Sequence, residues 1–287
     1  MKLRRWMGST GLRKQAKPQG GCESKVSSAN RKKLIQEYYS ARAKDYDRQK
    51  SRTWGSTKGF GDEVSDVLLA TFVGFKDKLV LEIGVGSGRN ALPLLEEAKL
   101  RLVGLDLSRE MLEQARAKAS SFKQRFDLVL GDADHLPFVD CVFDATVCMS
   151  TMHYFESKEE ILGKLSKTLV GGGILAYGDL TVAELDDEEF FEGLERTVSK
   201  AHSRYCKPSE MRRSLEAHGF RISKMKIVAY RKTYDSLMED KGVYFSVPLD
   251  TLHKYIQRAT AKAKAQYDLT DTGLTLFYTM IIAQNER

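Results

Sequence analysis

Between residues 79 and 178 short apolar segments alternate with segments of helical periodicity, and no other feature of this 287-residue chain constrains its fold as much. Strands are expected at 79–83, 102–107, 126–130, 142–149 and 174–178. Helices are expected at 90–98, at 110–120 behind the capping residue Ser108, and at 158–169. Strands that alternate with helices of about ten to fifteen residues imply right-handed crossovers and a mainly parallel sheet covered on both faces. Gly171, Gly172 and Gly173 read as a sharp turn into the fifth strand. Upstream lie a helical pattern over 30–48, a glycine-rich connector at 54–61 and an amphipathic helix carrying Val64, Val67, Leu68 and Phe72. Downstream, helices are expected at 186–201 and 209–218, the second ended by Gly219, then a strand at 222–230 and a helix at 249–267. The last strand, 274–283, is apolar along its whole length, which places it inside the sheet and not at an edge.

The net charge of +7 is unevenly spread. Residues 1–33 carry ten Lys/Arg and one acid, Glu23, whereas the remaining 254 carry 36 bases and 38 acids. The basicity therefore belongs to an N-terminal arm, 1–29, read as a flexible extension rich in Gly, Ser and Lys. Residues 30–287 read as one domain with a core at 78–182 and cap elements at 30–75, 183–206 and 232–273. No stretch approaches the ~20 consecutive apolar residues of a membrane helix. The N-terminal basic residues lack the apolar run of a secretory signal. Four scattered cysteines (Cys22, Cys141, Cys148, Cys206) form no C-x-x-C pair, so neither a zinc cage nor a disulfide framework is expected and a reducing cytoplasm suits the chain. No residue cluster has metal-ligand spacing.

The chemistry is concentrated where strands end. In Val80-Leu81-Glu82-Ile83-Gly84-Val85-Gly86-Ser87-Gly88-Arg89-Asn90 a strand runs through a glycine turn into a helix, so backbone approaches a ligand closely and unpaired N–H groups meet an anion. A dinucleotide fingerprint calls for a small residue three positions beyond the second glycine. Here that residue is Arg89, and the spacing is G-x-G-x-G. Asp106, followed by Leu107, ends the second strand and suits two ribose hydroxyls. After the third strand, Gly131-Asp132-Ala133 offers a carboxylate and a backbone N–H to an adenine ring.

Taken together, Glu82 with the three glycines, Asp106, GDADHLPF, FDATVCMSTMHYF and LVGGGILAYGDL resemble the successive motifs of the class I methyltransferases. The pattern is similar to the branch that includes the ubiquinone and menaquinone C-methyltransferases and many small-molecule methyltransferases, and it covers about a third of the chain, residues 78–182. It implies a doubly wound, Rossmann-like α/β sheet of seven strands, the final one antiparallel, with N-terminal helices and a C-terminal insert as a cap. It also implies S-adenosylmethionine as cofactor. Gly84, Gly86 and Gly88 would pass its methionine moiety, with Glu82 near the ammonium group. Asp106 and Leu107 would hold the ribose, Asp132 and Ala133 the adenine, and Met149 would contribute a backbone carbonyl. Tyr46 matches the helix that folds over the cofactor.

Methyl transfer from a sulfonium needs alignment first and a base only where the nucleophile must lose a proton. His153 and Tyr154, just past the fourth strand, are the candidates for that role. His135 is expected to pack in its loop, and His202, His218 and His253 have no evident partner. Tyr234, Tyr244, Phe245 and Tyr255 suggest a lid over an apolar or aromatic small-molecule acceptor. Two alternatives stand beside this reading: an RNA (tRNA) methyltransferase that uses the basic arm on phosphates, and a non-catalytic protein that binds S-adenosylmethionine.

Overall fold

The computed structural model describes residues 27–48, 60–199, 202–245 and 248–287, with the side chains of 240–245 excepted. The expected arm up to residue 26, most of the glycine-rich connector, and the side chains of Tyr244 and Phe245 lie outside the described residues.

Seven strands form one sheet: β1 (Leu79–Ile83), β2 (Arg101–Asp106), β3 (Phe126–Leu130), β4 (Phe143–Met149), β5 (Leu169–Thr181), β6 (Phe220–Thr233) and β7 (Gly273–Asn285). Their order across the sheet is β3-β2-β1-β4-β5-β7-β6. β1 pairs in parallel with β2 and β4, while β7 runs antiparallel to both β5 and β6. The final strand is thus internal, as its unbroken apolar run requires.

The pleat sends alternate residues of β1 to opposite faces. Val80 joins one apolar cluster with Leu102, Val147 and Phe72, and Leu81 and Ile83 join the other with Val103, Leu105 and Leu165. The first face is covered by α2 (Phe60–Thr71), by α3 (Ala91–Pro93) with the π-helical turn Leu94–Ala98, and by α4 (Arg109–Lys118). The second is covered by α5 (Lys158–Thr168) and α7 (Pro208–Ala217). Local signals start these helices where they are needed. The Ser108 side chain accepts from the Met111 N–H ahead of α4. Ser157 accepts from Glu160 ahead of α5, whose first turn is acidic and whose last turn carries Lys167. Caps of this kind contribute about 1 kcal/mol each.

Several expected boundaries shift for identifiable reasons. α1 (Ser28–Arg42) stops at a turn over residues 43–45, so Tyr46 lies beyond it. Gly171–Gly173 do not begin the fifth strand. Leu169 already pairs with Phe143, and the glycines absorb a register shift before Ala145 pairs with Ile174. α6 (Phe190–Val198) starts four residues later than expected, because the Asp186 carboxylate takes the N–H groups of Phe190 and Phe191. β6 reaches Thr233 and is followed by α8 (Tyr234–Phe245). The helix expected at 249–267 is two, α9 (Leu249–Gln257) and α10 (Ala261–Gln266), divided where Thr260 caps the second.

Candidate active site

Along the carboxyl edge of the parallel strands runs a cavity of about 240 Å³, the usual place for a ligand in such a sheet. At its centre is the glycine turn. Gly84 has a φ of +69°, and a Cβ there would run into the Thr151 side chain. The N–H of Gly86 donates to Asp106 Oδ2 at 2.7 Å, and that of Ser108 to Oδ1 at 2.9 Å. Burial pushes the Asp106 carboxyl up, against the pull of the N–H groups of Ser108, Gly86 and Leu107. Gly88 does not border the cavity. It faces Ala115 of α4, and its φ of +83° is a conformation that favours glycine.

Glu82 lies beneath the turn, 1% exposed, with Oε1 accepting from Asn90 Nδ2 at 3.1 Å. Its Oε2 is buried without a hydrogen-bond partner, and burial raises the carboxyl to about 8 despite the Asn90 bond. Asp132 accepts the N–H of Asp134 on Oδ1 (2.9 Å) and the Lys32 ammonium on Oδ2 (2.6 Å). Burial alone would raise the Asp132 carboxyl. Lys32 outweighs it and leaves the group below the usual carboxylate range.

α1 crosses this edge as a roof fastened by polar contacts. Lys32 also pairs with Asp134, and Arg31 meets Glu156 at 2.8 Å. Ser40 Oγ lies 3.1 Å from Ser108 Oγ, and Tyr39 Oη lies 2.8 Å from Tyr154 Oη. Beyond the helix, Asp47 accepts from Ser87 at 2.6 Å and pairs with Lys118. Tyr46 lines the cavity, its ring edge-on to Tyr39. Arg31 and Lys32, counted above with the basic arm, are therefore engaged inside the fold.

Past the turn the cavity opens into a chamber bounded by β5, α6, β6 and β7. His153 borders it, 8% exposed, with Nδ1 2.8 Å from Asp179 Oδ1 and its backbone N–H donating to Asp179 Oδ2 at 3.0 Å. With Nδ1 engaged, Nε2 is the ring atom available to a ligand. Tyr154, Tyr205, Tyr230 and Tyr278 contribute rings to the lining, and Glu195, Lys232 and Arg89 contribute charges. The expected aromatic lid is differently placed. Tyr234 donates to the Thr270 carbonyl and Tyr255 to that of Phe190, so both brace auxiliary segments, and α8 reaches the cavity through Leu237.

The edge thus gathers Tyr46, Gly84, Gly86, Asp106, Leu107, Asp132, Ala133, Met149, His153 and Tyr154 around one cavity, while Glu82 and Gly88 sit behind it. Three of the other histidines depart from expectation. His135 is 81% exposed at its side chain and does not pack. His202 Nε2 meets Glu192 at 3.0 Å, and His218 Nδ1 donates to the Ser214 carbonyl at 2.8 Å. Asp179 was not singled out above, although it directly follows the expected fifth strand; β5 itself runs on to Thr181. Glu195, Tyr205, Tyr230, Lys232 and Tyr278 carry no local signal. No group of three or more metal-ligating side chains occurs among the described residues, and no described helix is long and apolar enough to cross a membrane.

A doubly wound sheet with a glycine turn, a carboxylate ending β2 and a second one after β3 defines a nucleoside-binding α/β protein, and comparison with known proteins narrows the class. Residues 80–173 match the family model described as a methyltransferase domain. Methyltransferase GfsG of Streptomyces halstedii is 32% identical over 38% of this chain and 40% of that protein. The demethylmenaquinone methyltransferase of Thermus thermophilus is 36% identical over 34% of this chain and 45% of that one. The chain thus spans less than half the length of these two relatives. The YcgJ protein of Bacillus subtilis superimposes with a TM-score of 0.71 at 21% identity, over 79% of this chain and 99% of that one, which speaks to the fold. Residues 80–173 are thus a methyltransferase domain, and the likeness supports the class I, S-adenosylmethionine-dependent family. S-adenosylmethionine is the cofactor of that family.

Proposed function

We propose that this chain transfers a methyl group to a small-molecule acceptor bound in the chamber beside His153. The observation that carries the reading is the continuity of one cavity from the glycine turn and Asp106 to the His153–Asp179 pair. A small acceptor is favoured because residues lining the far end are nearly inaccessible: Asp179 is 2% exposed, Glu195 1% and Lys232 4%.

The residues present fit the cofactor. The orphan Oε2 of Glu82 is a buried acceptor that suits an ammonium group. The Asp106 oxygens accept the N–H groups of Gly86 and Ser108 and keep lone-pair capacity for ribose hydroxyls. Asp132 and the N–H of Ala133 suit an adenine edge, with Lys32 and Tyr46 closing over them. Gly84 and Gly86 admit the methionine portion, flanked by Met149. When bound, the cofactor supplies an electrophilic methyl group on a sulfur that departs neutral.

The chain's own part is positioning and proton handling. His153 accepts a proton at Nε2, and Asp179 fixes its tautomer and steadies its charge. Tyr154 is held by Tyr39, so closure of α1 and alignment of the chamber are linked. The three described cysteines are free thiols, which supports a reducing compartment such as the cytoplasm. Calorimetric titration with S-adenosylmethionine, S-adenosylhomocysteine and NAD tests the cofactor assignment. Incubating methyl-labelled cofactor with a small-molecule extract tests the transfer. Binding of NAD alone, or label found only in RNA, overturns the reading.

A further inference from the structure

We propose that Tyr205 selects the acceptor, its hydroxyl donating a hydrogen bond to a carbonyl or hydroxyl oxygen that the acceptor carries apart from the methylated atom. This rests on the methyl-transfer reading above and deepens it by naming a recognition group and the chemistry it reads.

Tyr205 lies in the segment before α7, 3% exposed, and borders the chamber. Its backbone N–H donates to Glu192 Oε1 at 2.7 Å, and Glu192 Oε2 lies 3.0 Å from His202 Nε2. Its ring stacks on Phe191 with centroids 5.5 Å apart, and packs against His202 at 4.6 Å and His153 at 4.9 Å. Backbone and ring are thus held by three neighbouring rings and a carboxylate. The hydroxyl is not: it hydrogen-bonds to none of the described residues. Two other phenols of the lining are engaged, Tyr154 with Tyr39 and Tyr278 with Ser150.

Packing does not account for the Tyr205 hydroxyl. Phenylalanine would fill the same space and keep the same ring contacts, without burying a polar atom whose desolvation goes uncompensated. Burial is the largest of the effects that push this hydroxyl well above the ordinary tyrosine value, so at neutral pH it keeps its proton and is a donor. Because the ring is already clamped, the donor loses little freedom when an oxygen meets it. An acceptor that offers only hydrocarbon there leaves a buried donor unpaired, and a site of this kind discriminates against it.

The test incubates wild-type protein with methyl-labelled cofactor and a small-molecule extract, and identifies the labelled product by NMR and mass fragmentation. A carbonyl or hydroxyl oxygen apart from the methylated atom is expected, and a product without one overturns the proposal. With the acceptor so identified, Tyr205→Phe should lower kcat/KM roughly five- to a hundredfold. The variant should keep wild-type affinity for S-adenosylhomocysteine, and its ligand-free melting temperature should be unchanged or higher. An unchanged kcat/KM overturns the proposal, as does a loss accompanied by weaker S-adenosylhomocysteine binding or a lower melting temperature. Independently of turnover, the wild-type S-adenosylhomocysteine complex should bind cyclohexanone more tightly than its isostere methylenecyclohexane, and Tyr205→Phe should remove the preference. No preference in the wild type counts against the proposal. Failure to bind S-adenosylhomocysteine at all would instead remove the methyl-transfer reading beneath it.

Discussion

Asp179 grips His153 twice, one carboxylate oxygen on ring Nδ1 at 2.8 Å and the other on the backbone N–H at 3.0 Å. The imidazole is thereby fixed in tautomer and in position. Replacing Asp179 with Asn keeps the shape but lets the amide impose the other tautomer. For Asp179→Asn, kcat is expected to fall by about 10²- to 10⁴-fold with little change in affinity for S-adenosylhomocysteine. Parallel kinetics and calorimetry check this split.

Glu82 should make stability depend on pH. Its folded value, about 8, lies above the ordinary 4.5, so between those limits the folded chain holds a proton that the unfolded chain has released. The contribution is fully present below pH 4.5 and is lost as pH rises through 8. Melting temperature of the ligand-free protein should decline across that window, and Glu82→Gln should flatten the decline. If Glu82 receives the cofactor's ammonium it must ionise, so binding at pH 7 should release a proton. Titration in buffers of different ionisation enthalpy measures that release.

Gly84→Ala should be destabilising and should weaken cofactor binding together, because the site requires a positive φ and the new methyl meets Thr151. Backbone strain of this kind costs roughly 1–3 kcal/mol. Gly61→Ala, in α2 with open space around the added methyl, is the control. It should be neutral or stabilising by up to about 1 kcal/mol. Chemical denaturation of the pair measures the contrast.

Lys32→Ala opens the clasp on Asp132 and Asp134 without touching the sheet. Both partners are partly exposed, so stability should change by less than about 1 kcal/mol. Release of S-adenosylhomocysteine should nonetheless accelerate, because Lys32 and Tyr46 both line the cavity. Stopped-flow dissociation, with Lys33→Ala on the solvent side of α1 as control, reads the effect.

The parallel half of the fold was legible because its signals are local. β1 and β3 begin and end where the apolar pattern does, and Ser108 marks the start of its helix. The grouping of Gly84, Gly86, Asp106, Asp132 and Ala133 around one cavity followed from the same adjacency of strand end and turn. Beyond β5 the chain is organised by contacts that periodicity does not encode. Asp186 delays α6 by capping it from a distance, and Tyr267 donates to that same carboxylate from 81 residues downstream. His202 looked partnerless because Glu192 reaches it only once α6 has folded. The chamber draws its charges from segments tens of residues apart, so its polarity emerges only when they meet.

β7 occupies the slot between β5 and β6, and among the described residues β6 has no other strand beside it. During synthesis, therefore, β1 to β5 can pair as they emerge, while β6 waits with both edges open for a segment still inside the ribosome. Tyr278, which lines the chamber, arrives on that last segment. The part of the cavity around the glycine turn can thus assemble on a nascent chain well before the chamber beside His153 is complete. A transcript truncated before residue 273 would yield a chain with half a site and an open sheet edge, the kind of species that quality-control proteases and aggregation remove.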